Sequence, residues 1–129
     1  MPVRVYYEDT DLAGIVYYAN YLKFIERGRS EWVWAMGVDQ TALQAGRGLV
    51  FAVRHLEADY LRPARFGDDL TVGTRLLQIT GARILVEQEV SRAGERLFRA
   101  GVTLACLTGD GHAARIPADI RAALAAALP

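Results

Sequence analysis

Val5-Tyr6-Tyr7-Glu8-Asp9-Thr10-Asp11-Leu12-Ala13-Gly14-Ile15-Val16-Tyr17-Tyr18-Ala19-Asn20-Tyr21 decides the fold, because the hydrophobic period changes inside it. Arg4 to Glu8, dense in Val and Tyr, predicts a first strand. From Tyr18 the spacing becomes helical, with Tyr18, Tyr21, Leu22, Ile25, Trp32, Val33 and Met36 on one broad face. Lys23, Glu26, Arg27, Ser30 and Glu31 take the other face, and Gly37 ends the pattern. At about 1.5 Å per residue such a helix runs roughly 28 Å, enough to fill the middle of a small fold. Gly28 falls on the apolar side and predicts a close approach to a neighbouring backbone.

Between strand and helix lies an acidic loop bearing Glu8, Asp9 and Asp11. It delivers Asp11 just ahead of the helix start, where unpaired N–H groups and the positive end of the helix dipole are exposed. A carboxylate beside such donors suits acid/base or nucleophilic work on a carbonyl.

Downstream, Asp39 is a good N-cap for a short second helix ending at Gly46. After Gly48 the period is two. Val50, Ala52, Leu56, Ala58 and Tyr60 are expected on one face and His55, Glu57 and Asp59 on the other, with Arg54 breaking the apolar side. Arg62 to Asp68 reads as a turn, Leu70 to Ile79 as a third strand, and Ile84, Val86 and Val90 mark a fourth. Ala93-Gly94 turns the chain into a fifth, with Phe98, Ala100, Val102, Leu104 and Cys106 on one face. Pro117 opens a C-terminal helix whose Ile120, Leu124 and Leu128 form a docking stripe. The order predicts an α+β domain spanning residues 1–129, a five-stranded antiparallel sheet wrapped around one long helix. Such a sheet leaves long edges, so a homodimer or a tetramer of dimers is expected.

Composition narrows the function. The 129 residues carry 15 Lys plus Arg against 15 Asp plus Glu, so no basic field exists to hold nucleic acid. One cysteine excludes an internal disulfide framework. No apolar run approaches the roughly 20 residues that span a bilayer, and the opening MPVRVYYED has no basic-then-apolar leader. A cytoplasmic protein is expected. An EF-hand register from Asp9 places Ala13 and Asn20 where oxygen ligands are required, so no metal is expected. Cys106 reads as a core thiol, His112 as a surface residue, and the Trp32 and Met36 stripe as packing. No Gly-x-Ser-x-Gly elbow is present.

Tyr7-Glu8-Asp9-Thr10-Asp11, Gly14-Ile15-Val16-Tyr17, Asn20-Tyr21-Leu22, Phe24 and Glu26-Arg27 together resemble the signature of the hotdog-fold acyl-CoA thioesterases. The likeness is to the 4-hydroxybenzoyl-CoA thioesterase type and the Tol-Pal-associated acyl-CoA thioesterases. Val53-Arg54-His55 through Asp59-Tyr60-Leu61-Arg62-Pro63-Ala64 is similar to the same family's second strand and following turn. The resemblance implies that Asp11 is the catalytic carboxylate and that the backbone N–H of Tyr18 polarises the thioester carbonyl. It implies a site at a dimer interface, with Tyr17, Tyr21, His55 and Arg83 as substrate-binding residues and Tyr18 and Phe51 near the acyl group. Many Tol-Pal-associated members carry histidine where this chain has Tyr18; the 4-hydroxybenzoyl type has tyrosine. The implied reaction is hydrolysis of an acyl-CoA with no cofactor beyond the coenzyme A of the substrate. The rival readings are a hotdog hydratase or dehydratase, and a non-catalytic module binding acyl thioesters or an acyl carrier protein.

Overall fold

The computed structural model describes residues 1–128. Five strands form one antiparallel sheet: β1 (Pro2–Arg4), β2 (Leu49–Tyr60), β3 (Asp69–Ile79), β4 (Arg83–Arg92) and β5 (Glu95–Thr108), in the spatial order β1-β3-β4-β5-β2. Helix α1 (Asn20–Ala35) lies along the concave face, α2 (Gln40–Arg47) leads into β2, and α3 (Ala118–Ala125) closes the chain. The core forms where Tyr21, Phe24, Ile25 and Val33 of α1 meet Val72, Leu76, Ile84, Val86, Val90, Phe98 and Val102 of the sheet. Trp32 and Met36 pack against it, as their spacing predicts.

Several expectations need correction, each for a local reason. The first strand ends at Arg4, and Tyr7–Asp9 is one turn of 3-10 helix. The Asp9 carboxylate accepts the Tyr6 amide at 2.9 Å and closes that turn, overriding the strand preference of Val and Tyr. Helix α1 starts at Asn20, so its 16 residues run roughly 24 Å. Leu22, placed on the apolar face, is exposed, whereas Phe24 is buried. Asp39 caps α2 by accepting from the Ala42 amide at 3.1 Å. That helix continues through Gly46 to Gly48, which takes the left-handed conformation at φ 65°.

The most instructive difference is in β2. Val53 pairs with Leu104 and His55 with Thr103, so Arg54 is an extra residue with no partner. This bulge switches parity along the strand. Leu49 and Phe51 therefore share the concave face with Leu56 and Ala58, while Val50 and Ala52, expected inward, lie opposite Leu107 and Ala105 on the other face. In α3, Ile120 and Leu124 dock but Leu128 is exposed, because the helix ends at Ala125 and Ala127 takes its place against the core.

The turn after β2 is pinned by one carboxylate. Asp68 accepts from the Arg65 amide at 2.8 Å and from Arg92 Nη1 at 2.7 Å. Burial pushes this carboxyl up, but the Arg65 amide and the Arg92 guanidinium outweigh it and hold Asp68 below its ordinary value. A folded pKa below the unfolded one contributes stability that is present above about pH 4 and fades as pH falls through the folded value. Asp68→Asn should therefore lower stability at neutral pH by about 1–2 kcal/mol and flatten the acid limb. Urea midpoints of both proteins between neutral and strongly acidic pH check this.

Candidate active site

Asp9 to Tyr17 folds into a miniature hairpin that sets the site. Tyr17 donates its amide to the Asp9 carbonyl at 2.9 Å, Thr10 bridges Val16, and the Asp11 amide reaches the Ile15 carbonyl at 3.0 Å. Gly14, at φ 76°, permits the reversal at the tip. A side-chain bond from Asn20 Nδ2 to Asp9 Oδ1 at 3.1 Å ties the hairpin base to the first residue of α1. Asp9 is thus a brace. Two rungs above that base, roughly 7 Å along the hairpin, stands Asp11. One of its oxygens accepts the Ala13 amide at 2.9 Å; the other accepts no hydrogen bond among the described residues. Its side chain is exposed, and Leu12 beside it is fully so.

At the hairpin base the chain turns into α1. Asn20 donates to the Tyr17 carbonyl at 2.8 Å and Leu22 to the Ala19 carbonyl at 3.1 Å. The amides of Tyr18 and Ala19 donate to no partner among the described residues. They are the unpaired donors of a helix start, at the base of the hairpin that carries Asp11.

The turn after β2 supplies the opposite wall. Val16 donates its amide to the Ala64 carbonyl at 2.8 Å, Ile15 bridges Arg65, and the Ala64 amide reaches the Tyr21 hydroxyl at 3.0 Å. The two segments of family-like sequence are thereby brought face to face. Between them lies a cleft of about 390 Å³, lined by Ile15, Val16, Tyr18, Tyr21, Tyr60 and Leu61, with Arg62 and Pro63 at its rim. Its floor is aromatic: Tyr21 stacks on Phe98 at 4.9 Å and meets the edge of Tyr60 at 5.5 Å. Burial raises the pKa of Tyr21, so its hydroxyl stays neutral over the ordinary pH range.

Of the sequence-predicted residues, the structure brings Tyr18 and Tyr21 into this cleft, with Asp11 on the hairpin above. Tyr17 does not line it, but its ring lies 5.0 Å from that of Tyr18. His55 and Arg83 are elsewhere in the same chain. His55 lies just past the bulge on the outer face of β2, exposed. Arg83 opens β4, roughly 30 Å along that strand from Arg92 at the cleft end. Phe51 lines a separate cavity of about 210 Å³ toward the other end of α1, with Val33, Ile84 and Leu104. Tyr60 and Arg62 were not singled out from the sequence; their signal was the segment 59–64, whose proximity to the helix start only the fold reveals. Among the described residues no three His, Cys, Asp or Glu side chains gather as a metal site. No described helix is long and apolar enough to cross a membrane.

A five-stranded antiparallel sheet curled about one long helix, with free helix-start amides at an apolar cleft, is the architecture of the hotdog-fold thioesterases. Residues 13–98 match the family model described as the thioesterase superfamily, and the chain belongs to that family. It is 41% identical over 123 residues to the acyl-CoA thioesterase YbgC of Haemophilus influenzae, covering 95% of this chain and 90% of that protein. A solved structure of a probable thioesterase from Bartonella henselae superposes with a TM-score of 0.87 at 40% identity, over 91% of this chain and 97% of that one. A 4-hydroxybenzoyl CoA thioesterase bound to 4-hydroxybenzoyl CoA shares the fold, with a TM-score of 0.90 at 23% identity over 95% of each chain.

Proposed function

We infer that this chain hydrolyses acyl-coenzyme A thioesters, yielding free coenzyme A and a carboxylic acid. The observation that carries the reading is the free Asp11 oxygen on the hairpin that leads into the unpaired amides of Tyr18 and Ala19, in a chain of the thioesterase superfamily. The amides receive the thioester oxygen as it gains charge; one such preorganised donor contributes about 3 kcal/mol to lowering the barrier. Asp11 then acts in one of two ways. As a general base it takes a proton from water, whose oxygen attacks the carbonyl carbon. As a nucleophile it attacks that carbon itself, giving a mixed anhydride that water cleaves. In both, the C–S bond breaks and the sulfur leaves with the electron pair and is protonated. The acid's new oxygen comes from water in the first route. In the second it comes from Asp11, when water attacks the Asp11 carboxyl carbon of the anhydride and leaves its own oxygen there. Retention of labelled oxygen in Asp11 after a single turnover in heavy water-18 marks the anhydride route.

The cleft wall is apolar and aromatic, which suits an acyl group, and Arg62 at its rim offers a cation to the anionic coenzyme. We propose that the working form is a homodimer or a tetramer of dimers. Strand β2 ends the sheet with twelve residues open on one side, and exposed Leu12 stands beside Asp11. A second copy pairing there would cover both, and would offer a route by which Arg83 or His55 reaches a cleft not its own. A hydratase would want a histidine beside Asp11, and neither histidine is there: His55 is on the outer face of β2 and His112 follows the turn after β5.

The test is thiol release from a panel of short, long and aromatic acyl-CoAs, with an acyl-carrier-protein thioester included. Turnover of at least one member is expected. Binding of such thioesters with no thiol released from any would replace the hydrolase by a binding module.

A further inference from the structure

Tyr60 is the last residue of the edge strand β2, and its hydroxyl reaches 42 positions back to donate to the Tyr18 carbonyl at 2.9 Å. The first turn of α1 explains why that carbonyl is available. Asn20 and Leu22 donate to the carbonyls of Tyr17 and Ala19, so the Tyr18 oxygen between them is served by the tyrosine instead. The Tyr18 carbonyl and the Ala19 N–H belong to one rigid peptide plane, and the Tyr18 N–H to the plane before it. A bond that fixes the first plane therefore fixes the direction of its amide and restrains the next. Accepting a hydrogen bond at the carbonyl also polarises the amide of the same unit.

The Tyr60 ring is itself held. It packs edge-on against Phe98 at 5.0 Å and Tyr21 at 5.5 Å, with Tyr18 at 6.3 Å. Its backbone is anchored opposite Phe98 in the ladder. Burial raises its pKa, keeping the hydroxyl a donor at neutral pH. The sheet is thus linked to the two free amides through one side chain.

We propose that Tyr60 is a positioning residue for the reaction: its hydroxyl locks the Tyr18–Ala19 peptide so that the two unpaired amides point at the thioester oxygen. This rests on the hydrolase reading above, and adds to it the residue that aims the donors. Tyr60→Phe tests it, because the ring contacts to Phe98 and Tyr21 remain while the hydroxyl is lost. The expected result is a kcat about tenfold lower, with KM within about twofold, a melting temperature close to wild type, and lower NMR order parameters at the Tyr18 and Ala19 amides in the ligand-free protein. Tyr60→Leu, which also removes the ring, should lower the melting temperature in addition, separating packing from aim. A Tyr60→Phe protein with unchanged kcat overturns the proposal, as does a loss of kcat with no change in the order parameters of those amides. Should wild type release no thiol from any acyl-CoA, the hydrolase reading fails by itself. The order-parameter measurement then still decides whether Tyr60 holds these amides.

Discussion

Asp11→Asn is expected to lower kcat by about 10²–10³-fold while leaving the protein folded. The substitution is close to isosteric, and an asparagine oxygen can still accept the Ala13 amide that Asp11 accepts at 2.9 Å. The Asp11 amide bond to Ile15 is a backbone contact and is untouched. What disappears is the charge, and with it the capacity to take a proton from water or to attack the carbonyl carbon. Both routes fail together. The unpaired amides remain, so residual turnover above the solution rate should persist. Steady-state kinetics with the best acyl-CoA of the panel, alongside a thermal melt, measure the two halves of this expectation. A kcat within about threefold of wild type would remove Asp11 from the chemistry.

The second large effect is on stability. Gly28→Ala should destabilise the fold by about 1–3 kcal/mol, against the ordinary rule that alanine improves a helix by about 1 kcal/mol. A Cβ at this position would lie 2.4 Å from Val72 Cγ1 and 3.1 Å from Val72 Cβ. Val72 is a buried, β-branched residue of the sheet, so its rotamer cannot simply swing away. Nearby, Gln88 Nε2 would stand 3.8 Å from the new carbon, and it donates to the Ile25 carbonyl at 2.8 Å and to Thr74 Oγ1 at 2.9 Å. Moving α1 outward to make room would strain those bonds. Gly46→Ala is the control: nothing lies within 4 Å of its Cβ, and that change in α2 should stabilise by about 0.5–1 kcal/mol. Chemical denaturation of both variants should move the midpoint in opposite directions.

The long helix, the four long strands and the concave face of β5 were legible from hydrophobic period, because those residues meet the core wherever the rest of the chain goes. Gly28 was legible too, as an apolar-face position without a side chain; that its neighbour is the Val72 side chain was not. The sequence marked Arg54 as an interruption of the apolar pattern in β2. Its meaning, a bulge that exchanges the two faces upstream, needs the partner strand to be seen. Gln88 likewise sits fully buried in the inward row of β4 between Val86 and Val90, tolerated because Arg29, Thr74 and the Ile25 carbonyl satisfy it. At the site, acidic spacing and family likeness singled out the Asp11 loop, and the same likeness marked the segment from Asp59 to Ala64. That Tyr60 to Pro63 forms the wall facing the start of α1 was not legible, since a contact across some forty residues leaves no local pattern.

In the proposed reaction the amides of Tyr18 and Ala19 grip the thioester oxygen. Isotope-edited infrared spectroscopy of an acyl-CoA carrying a ¹³C thioester carbonyl, bound to Asp11→Asn, reads this directly. A carbonyl stretch at lower frequency than for the same thioester in water is expected. A bound carbonyl absorbing at or above its aqueous position would contradict it.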